Sequence, residues 1–269
     1  MNTVDASIPY RVTLPRVVRA EWTKLRSLRS TWWSLGIAVF LTIGLGGVIG
    51  RGSAQAIRDG EIASGGQTAI ETTLFGVDIA ALIIGVYGVL LMTGEYGTGQ
   101  IRASLTAVPK RLPVLWAKAI VLAAVVGPLM LAANFTAFLL GQGLAGDVGV
   151  DLSEPGVVRA ILGATGYLVG VGLLGLGIGV VVRNLVLGVT VYIGALMMLP
   201  PILTAALPNE SGEKIGKYTP MFAGGAMYSI DGGGGPIPYL RPGPGALVFA
   251  AYIVVLVVAG ALLLRRRDA

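Results

Sequence analysis

The chain has 269 residues, 54% of them hydrophobic and 13% charged, a balance far from that of a soluble globular domain and typical of an integral membrane protein. It contains no histidine and no cysteine, which excludes zinc proteolysis, histidine-ligated haem, serine–histidine hydrolysis, thiol redox chemistry and disulfides. The net charge of +6 sits at the ends of apolar stretches and not in a soluble module, so it does not point to nucleic acid.

Residues 1–13 read as a loose tail. From Leu14 the apolar residues Leu14, Val17, Val18, Trp22, Leu25 and Leu28 recur at helical spacing, with Arg16, Arg19, Thr23 and Arg26 on the other side. Residues 1–29 are therefore expected to be a tail and an amphipathic interfacial helix, with Trp22, Trp32 and Trp33 at headgroup depth. A basic stop-transfer flank that fixes topology fits the same residues. Ala54-Gln55-Ala56 resembles a signal-peptidase site, but the apolar stretch before it is too long and its basic lead too extended for a signal peptide.

Six stretches free of charge, or nearly so, follow at 30–50, 72–94, 119–146, 160–182, 184–209 and 242–264. Each can cross roughly 30 Å of hydrocarbon as a helix, and the alternation of a membrane β-barrel is absent. The expected fold is all-α, a six-span domain over 30–264 with helices at about 30–50, 72–94, 114–140, 158–182, 185–207 and 244–264 and a basic tail at 265–269.

Between the first and second spans, 51–71 reads as a polar external loop. Asp78 is then either a cation or proton site within the second span or, if that span begins a turn later, a residue of the outer interface; the latter avoids an unpaired charge in lipid. The polar, basic stretch 94–118 joins spans two and three. Thr98 can cap a short helix with Ile101, Leu105 and Val108 on its apolar side, and Pro109 ends it.

Pro128 and Asn134 in the third span suit a kink and a hydrogen bond to a neighbouring helix. In the fourth, Gly166-x-x-x-Gly170 and Gly175-x-x-x-Gly179 permit close helix approach. Only Arg183 and Asn184 separate the fourth and fifth spans, which predicts a tight hairpin. The fifth ends near Met197-Met198-Leu199-Pro200-Pro201, where thioethers either fill a core or line a permissive apolar cavity. Residues 219–230 are apolar enough to dip back into the membrane as a re-entrant element. The glycine run 232–235 lacks the strand and helix of a nucleotide site.

With both termini cytoplasmic, fourteen lysines and arginines lie inside and six outside, the bias expected of that orientation in the plasma membrane. The stretch 94–118 is then cytoplasmic. No G-x-x-x-x-G-K-[ST] loop occurs, so this chain has no ATPase site of its own, and ATP-driven work would need another chain.

The juxtamembrane Glu21-Trp22-Thr23-Lys24-Leu25-Arg26-Ser27 and Arg29-Ser30-Thr31-Trp32-Trp33, the loop Glu95-Tyr96-x-Thr98-Gly99-x-Ile101-Arg102 with Leu105-Thr106-Ala107-Val108-Pro109, the basic Lys110-Arg111 and Lys118, and the ending Leu264-Arg265-Arg266-Arg267-Asp268 carry a likeness over essentially the whole chain. The sequence resembles the permease subunit of type-2 ABC transporters, relatives of type V exporters, of the kind found in high-GC Gram-positive bacteria. That resemblance implies an exporter subunit that dimerises with a second permease, a homodimer in the simplest case, amid membrane lipid. It also implies docking of two separate ATPase subunits, which hold the ATP and magnesium.

It further implies that Arg19, Trp22, Lys24 and Arg26 belong to a connecting helix, and that Glu95, Tyr96, Thr98, Ile101, Arg102 and Leu105 form a coupling helix seated on the ATPase. Phe40, Met197 and Met198 would line the substrate path. Gly97 and Gly99 stand where the family loop often has bulkier residues, so its helix is expected to be shorter here. The apolar spans suggest an apolar or amphipathic substrate. Two other readings compete: an ion-coupled secondary transporter using Asp78, although no internal repeat is visible, and a non-transporting membrane anchor or sensory partner.

Overall fold

The computed structural model describes residues 13–97, 99, 112–207, 210–230 and 240–266. Helix α1 spans Leu14–Ser27, α2 Arg29–Arg58, α3 Gly66–Thr73, α4 Gly76–Gly97 and α5 Leu112–Ala145. Then come α6 at Val157–Val182, α7 at Leu185–Ile193, a π-helical turn at Gly194–Met198, α8 at Leu199–Ala206, α9 at Glu210–Gly216, α10 at Pro220–Gly225 and α11 at Pro242–Arg266. No strand occurs among the described residues. Six helical stretches are long and apolar enough to cross a membrane: α2, α4, α5, α6, the α7–π–α8 run and α11. The protein is an all-α membrane protein of six spans.

Spans two (α4) and four (α6) form the centre and pack on each other more extensively than any other pair. Glycine permits this. A Cβ on Gly88 would lie 2.1 Å from the Gly172 carbonyl oxygen, and one on Gly175 2.0 Å from that of Gly85. The backbones meet where no side chain fits. Of the two small-residue spacings in span four, Gly175 and Gly179 serve this seam. Gly170 instead receives the ring of Phe249 from span six.

The first span runs past its expected end to Arg58, whose Nη2 donates to the Ala145 carbonyl and pairs at 2.6 Å with Asp147 beyond span three. The predicted polar loop is thus partly helix: its first part extends span one, and its last part forms α3 before a break at Leu74–Phe75. Asn134 donates to Thr165 Oγ1 at 3.1 Å, tying span three to span four.

The two-residue hairpin between spans four and five has a clear mechanism. Arg183 adopts φ 58 and donates its N–H to the Gly179 carbonyl, closing α6 in the left-handed region, while Asn184 Oδ1 accepts from Leu187 N at 3.0 Å and caps α7. Span five is not a uniform helix. Pro200 and Pro201 lack the N–H groups that would bond back one turn, and the ladder widens into a π turn just before them.

The stretch 219–230 folds back onto the bundle. α10 packs on span six, Ala223 and Ala226 are buried, Ser229 accepts from Arg159 Nη2 at 2.7 Å, and Ile230 N donates to Gln67 Oε1 at 2.7 Å. Asp78, in the first turn of span two, accepts a 2.9 Å hydrogen bond from the Tyr228 hydroxyl. It is partly buried and fastened to this segment.

Candidate functional site

The chemistry-bearing side chains gather at the basic end of the bundle. α1 begins with Pro15 in its first turn, where the missing N–H costs nothing, and ends at Leu28, whose extended backbone turns the chain into span one. Trp32 Nε1 donates to the Arg26 carbonyl at 3.1 Å and braces this elbow. The buried stripe of α1 is Val17, Glu21 and Leu25. Val17 meets Val114 and Ala117 of span three, and Leu25 meets Tyr87 and Val121. Leu14, Trp22 and Leu28, on the apolar side of the expected interfacial helix, are exposed. A carboxylate therefore occupies the middle of the buried face.

Its partners come from two other helices. Glu21 Oε1 lies 2.9 Å from Lys24 Nζ and its Oε2 2.8 Å from Lys118 Nζ. Glu95 Oε1, at the end of span two, lies 2.9 Å from Lys24 Nζ and 2.7 Å from Lys118 Nζ. The result is a square of alternating charge, neutral overall, joining α1, span two and span three. Glu21, Glu95 and Lys118 are 6, 7 and 4% exposed, so each depends on its partners. Lys24 is half-buried. Burial alone would lower the pKa of its ammonium; hydrogen bonds to Glu21 and Glu95, with their charges, outweigh this and hold it above the ordinary lysine value.

A second contact reinforces the same end. The guanidinium of Arg183 lies 5.2 Å from the centre of the Tyr96 ring, bringing the turn between spans four and five onto the last turn of span two. Near the square, the Tyr87 hydroxyl donates to Thr31 Oγ1 at 3.3 Å, linking span two to span one. A cavity of about 430 Å³ opens between these elements, with Glu21, Lys24, Glu95 and Lys118 at its polar end and Leu25, Leu90 and Val121 among its apolar walls.

The structure brings Lys24 and Glu95 into direct contact and places Tyr96 beside Arg183. Arg19, Trp22 and Arg26 are exposed on α1, and their side chains do not join the square. Thr98, Ile101, Arg102 and Leu105 lie outside the described residues, as does the predicted coupling helix. Phe40 on span one and Met198 on span five are 72 and 53% exposed, and Met197 is half-buried.

Glu21 and Lys118 have roles the site residues drawn from the sequence did not include. The available signal was register: Glu21 stands one helical turn from both Val17 and Leu25, and Lys118 sits on the same side of its helix as Val114 and Leu122. Among the described residues no group of three acidic side chains could hold a metal ion. The square fixes three helix ends relative to one another. The sequence matches no family model, and no curated protein matches it.

Proposed function

We propose that the protein is the transmembrane permease subunit of an ATP-driven exporter in the plasma membrane, with both termini cytoplasmic, and that a separate ATPase supplies the energy. The observation that carries this reading is the charge square. It clamps the amphipathic N-terminal helix to the end of span two and the start of span three, the two points from which the basic stretch 98–111 departs and to which it returns. A partner pushing on that stretch would move spans two and three and α1 together, because a buried ion-pair network resists separation. α1 then acts as the connecting helix, and 98–111 presents the coupling contact. The absence of a phosphate loop in the sequence supports a division of labour between two chains.

The hydrogen bond from Tyr228 gives Asp78 a fastening role and favours this reading over one in which Asp78 couples ion flow. The exposed apolar faces of Phe40 and Met198 suit a path formed between two copies, carrying an apolar or amphipathic cargo.

The test is to express the chain with candidate ABC-type ATPase subunits and measure association, ATP hydrolysis and transport in vesicles. Arg102→Ala with Leu105→Asp is expected to leave insertion intact while reducing co-purification of the ATPase at least several-fold. Unchanged association and unchanged ATP-dependent transport would refute the reading.

A further inference from the structure

We propose that the exposed face of α1, continued onto the first turn of span one, binds anionic phospholipid, with headgroup phosphates held by Arg19, Arg26 and Arg29. The inference stands apart from the transport reading, since lipid can be retained without ATP or an ATPase.

The first argument is uncompensated charge. Between Leu14 and Trp33 the one carboxylate is Glu21, and it is buried within the square. Arg19, Arg26 and Arg29 are exposed, and their side chains make no ion pair or hydrogen bond among the described residues. Arginines elsewhere in the bundle are answered by the chain itself: Arg58 pairs with Asp147, and Arg159 donates to the carbonyls of Met227 and Ser229. The patch on α1 therefore calls for an anion from outside the chain.

The second argument is depth. The chain has four tryptophans, and all of them, Trp22, Trp32, Trp33 and Trp116, are exposed around this end of the bundle. Exposed tryptophan settles at the level of lipid headgroups. Arg19 stands three residues before Trp22 and Arg26 four after it, while Arg29 stands three before Trp32 and four before Trp33, so each guanidinium neighbours an exposed indole on its own helix. The hydrogen bond from Trp32 Nε1 to the Arg26 carbonyl joins the two groups across the elbow. Arginines at that level meet lipid phosphates, whose oxygens match the guanidinium fork.

Charge then selects among lipids. A zwitterionic headgroup brings a cation that the patch repels, whereas phosphatidylglycerol brings negative charge alone. Near an anionic surface each arginine contributes about fivefold in affinity.

The tryptophans are the reporters for the test. The protein would be reconstituted in phosphatidylcholine nanodiscs doped with either phosphatidylglycerol or phosphatidylcholine carrying brominated chains, and quenching of tryptophan fluorescence followed. Half-maximal quenching by the brominated phosphatidylglycerol is expected at a mole fraction about fivefold lower than by the brominated phosphatidylcholine. The triple change Arg19→Gln, Arg26→Gln and Arg29→Gln, which leaves the square and the Arg26 carbonyl in place, should abolish the difference in protein whose gel-filtration profile is unchanged. If that variant fails to fold, Arg26→Gln alone decides, with the ratio at least halved. Arg51→Gln, an exposed arginine farther along the first-span helix, should keep the full difference. Equal quenching by the two lipids would overturn the proposal and leave the patch to an acidic protein surface. A difference surviving in the folded arginine variant, or lost equally in Arg51→Gln, would overturn it too. So would its loss on adding inorganic phosphate at an ionic strength matched with sodium chloride, because the patch would then take a free anion.

Discussion

Lys118 holds the most exposed consequence of any single residue. It is the buried ammonium between Glu21 and Glu95, at 2.8 and 2.7 Å. Replacing it with methionine keeps the volume but leaves two buried carboxylates sharing Lys24. Breaking a buried pair in this way costs about 3–5 kcal/mol, so Lys118→Met should lower the thermal unfolding midpoint in detergent markedly. The paired change Glu21→Leu with Lys118→Met should cost less than Lys118→Met alone, because Glu95 then keeps Lys24 and no carboxylate is stranded. Thermal scans followed by circular dichroism would decide it; a paired variant less stable than the single one would remove the square from the account. Glu95 and Lys24 were visible in the sequence as members of a patterned juxtamembrane region. Their contact was not, because they stand 71 positions apart and the packing of α1 against span three brings them together.

At the scale of helices, the sequence was most readable where local chemistry sufficed. Arg183-Asn184 could only be a short turn, and the left-handed backbone of Arg183 with the cap from Asn184 is how it is made. Span five, expected over about 185–207, runs from Leu185 to Ala206, and what its sequence did not disclose is the π turn at Gly194–Met198. Proline reports a missing donor, and neighbouring packing determines whether the chain stops or widens. The close seam between spans two and four was anticipated through Gly175 and Gly179, but its partners Gly85 and Gly88 carried no distinctive spacing. Gly175→Val would drive side-chain atoms into the Gly85 carbonyl, against which even a Cβ would sit at 2.0 Å. A loss of about 1–3 kcal/mol is expected from such overpacking, seen as a lower midpoint in the same thermal assay. An unaltered midpoint would mean that the two helices sit farther apart than this seam requires.

For the whole molecule, the length of the nearly charge-free apolar stretches identified six crossings, because each must satisfy its own backbone within lipid. What it could not give was which spans are central. Spans two and four are the most buried of the six and spans five and six the least, a distinction set by long-range packing and not by hydropathy. The orientation drawn from the lysines and arginines can be checked directly. Because the chain has no cysteine, single substitutions label without background. In intact cells an impermeant maleimide should modify Glu61→Cys, beyond span one, and spare Arg16→Cys on α1; the reverse pattern would invert the topology.

The charge square also sets an order of events during synthesis. Glu21 is made 97 residues before Lys118, which at 5–20 residues per second is an interval of about 5–20 s. Through that time the nascent N-terminal helix has Lys24 within reach but neither Glu95 nor Lys118 until spans two and three have left the ribosome. α1 therefore waits at the membrane surface and docks only after span three has begun to enter, so the first helix translated is among the last parts of the basic end to find its place.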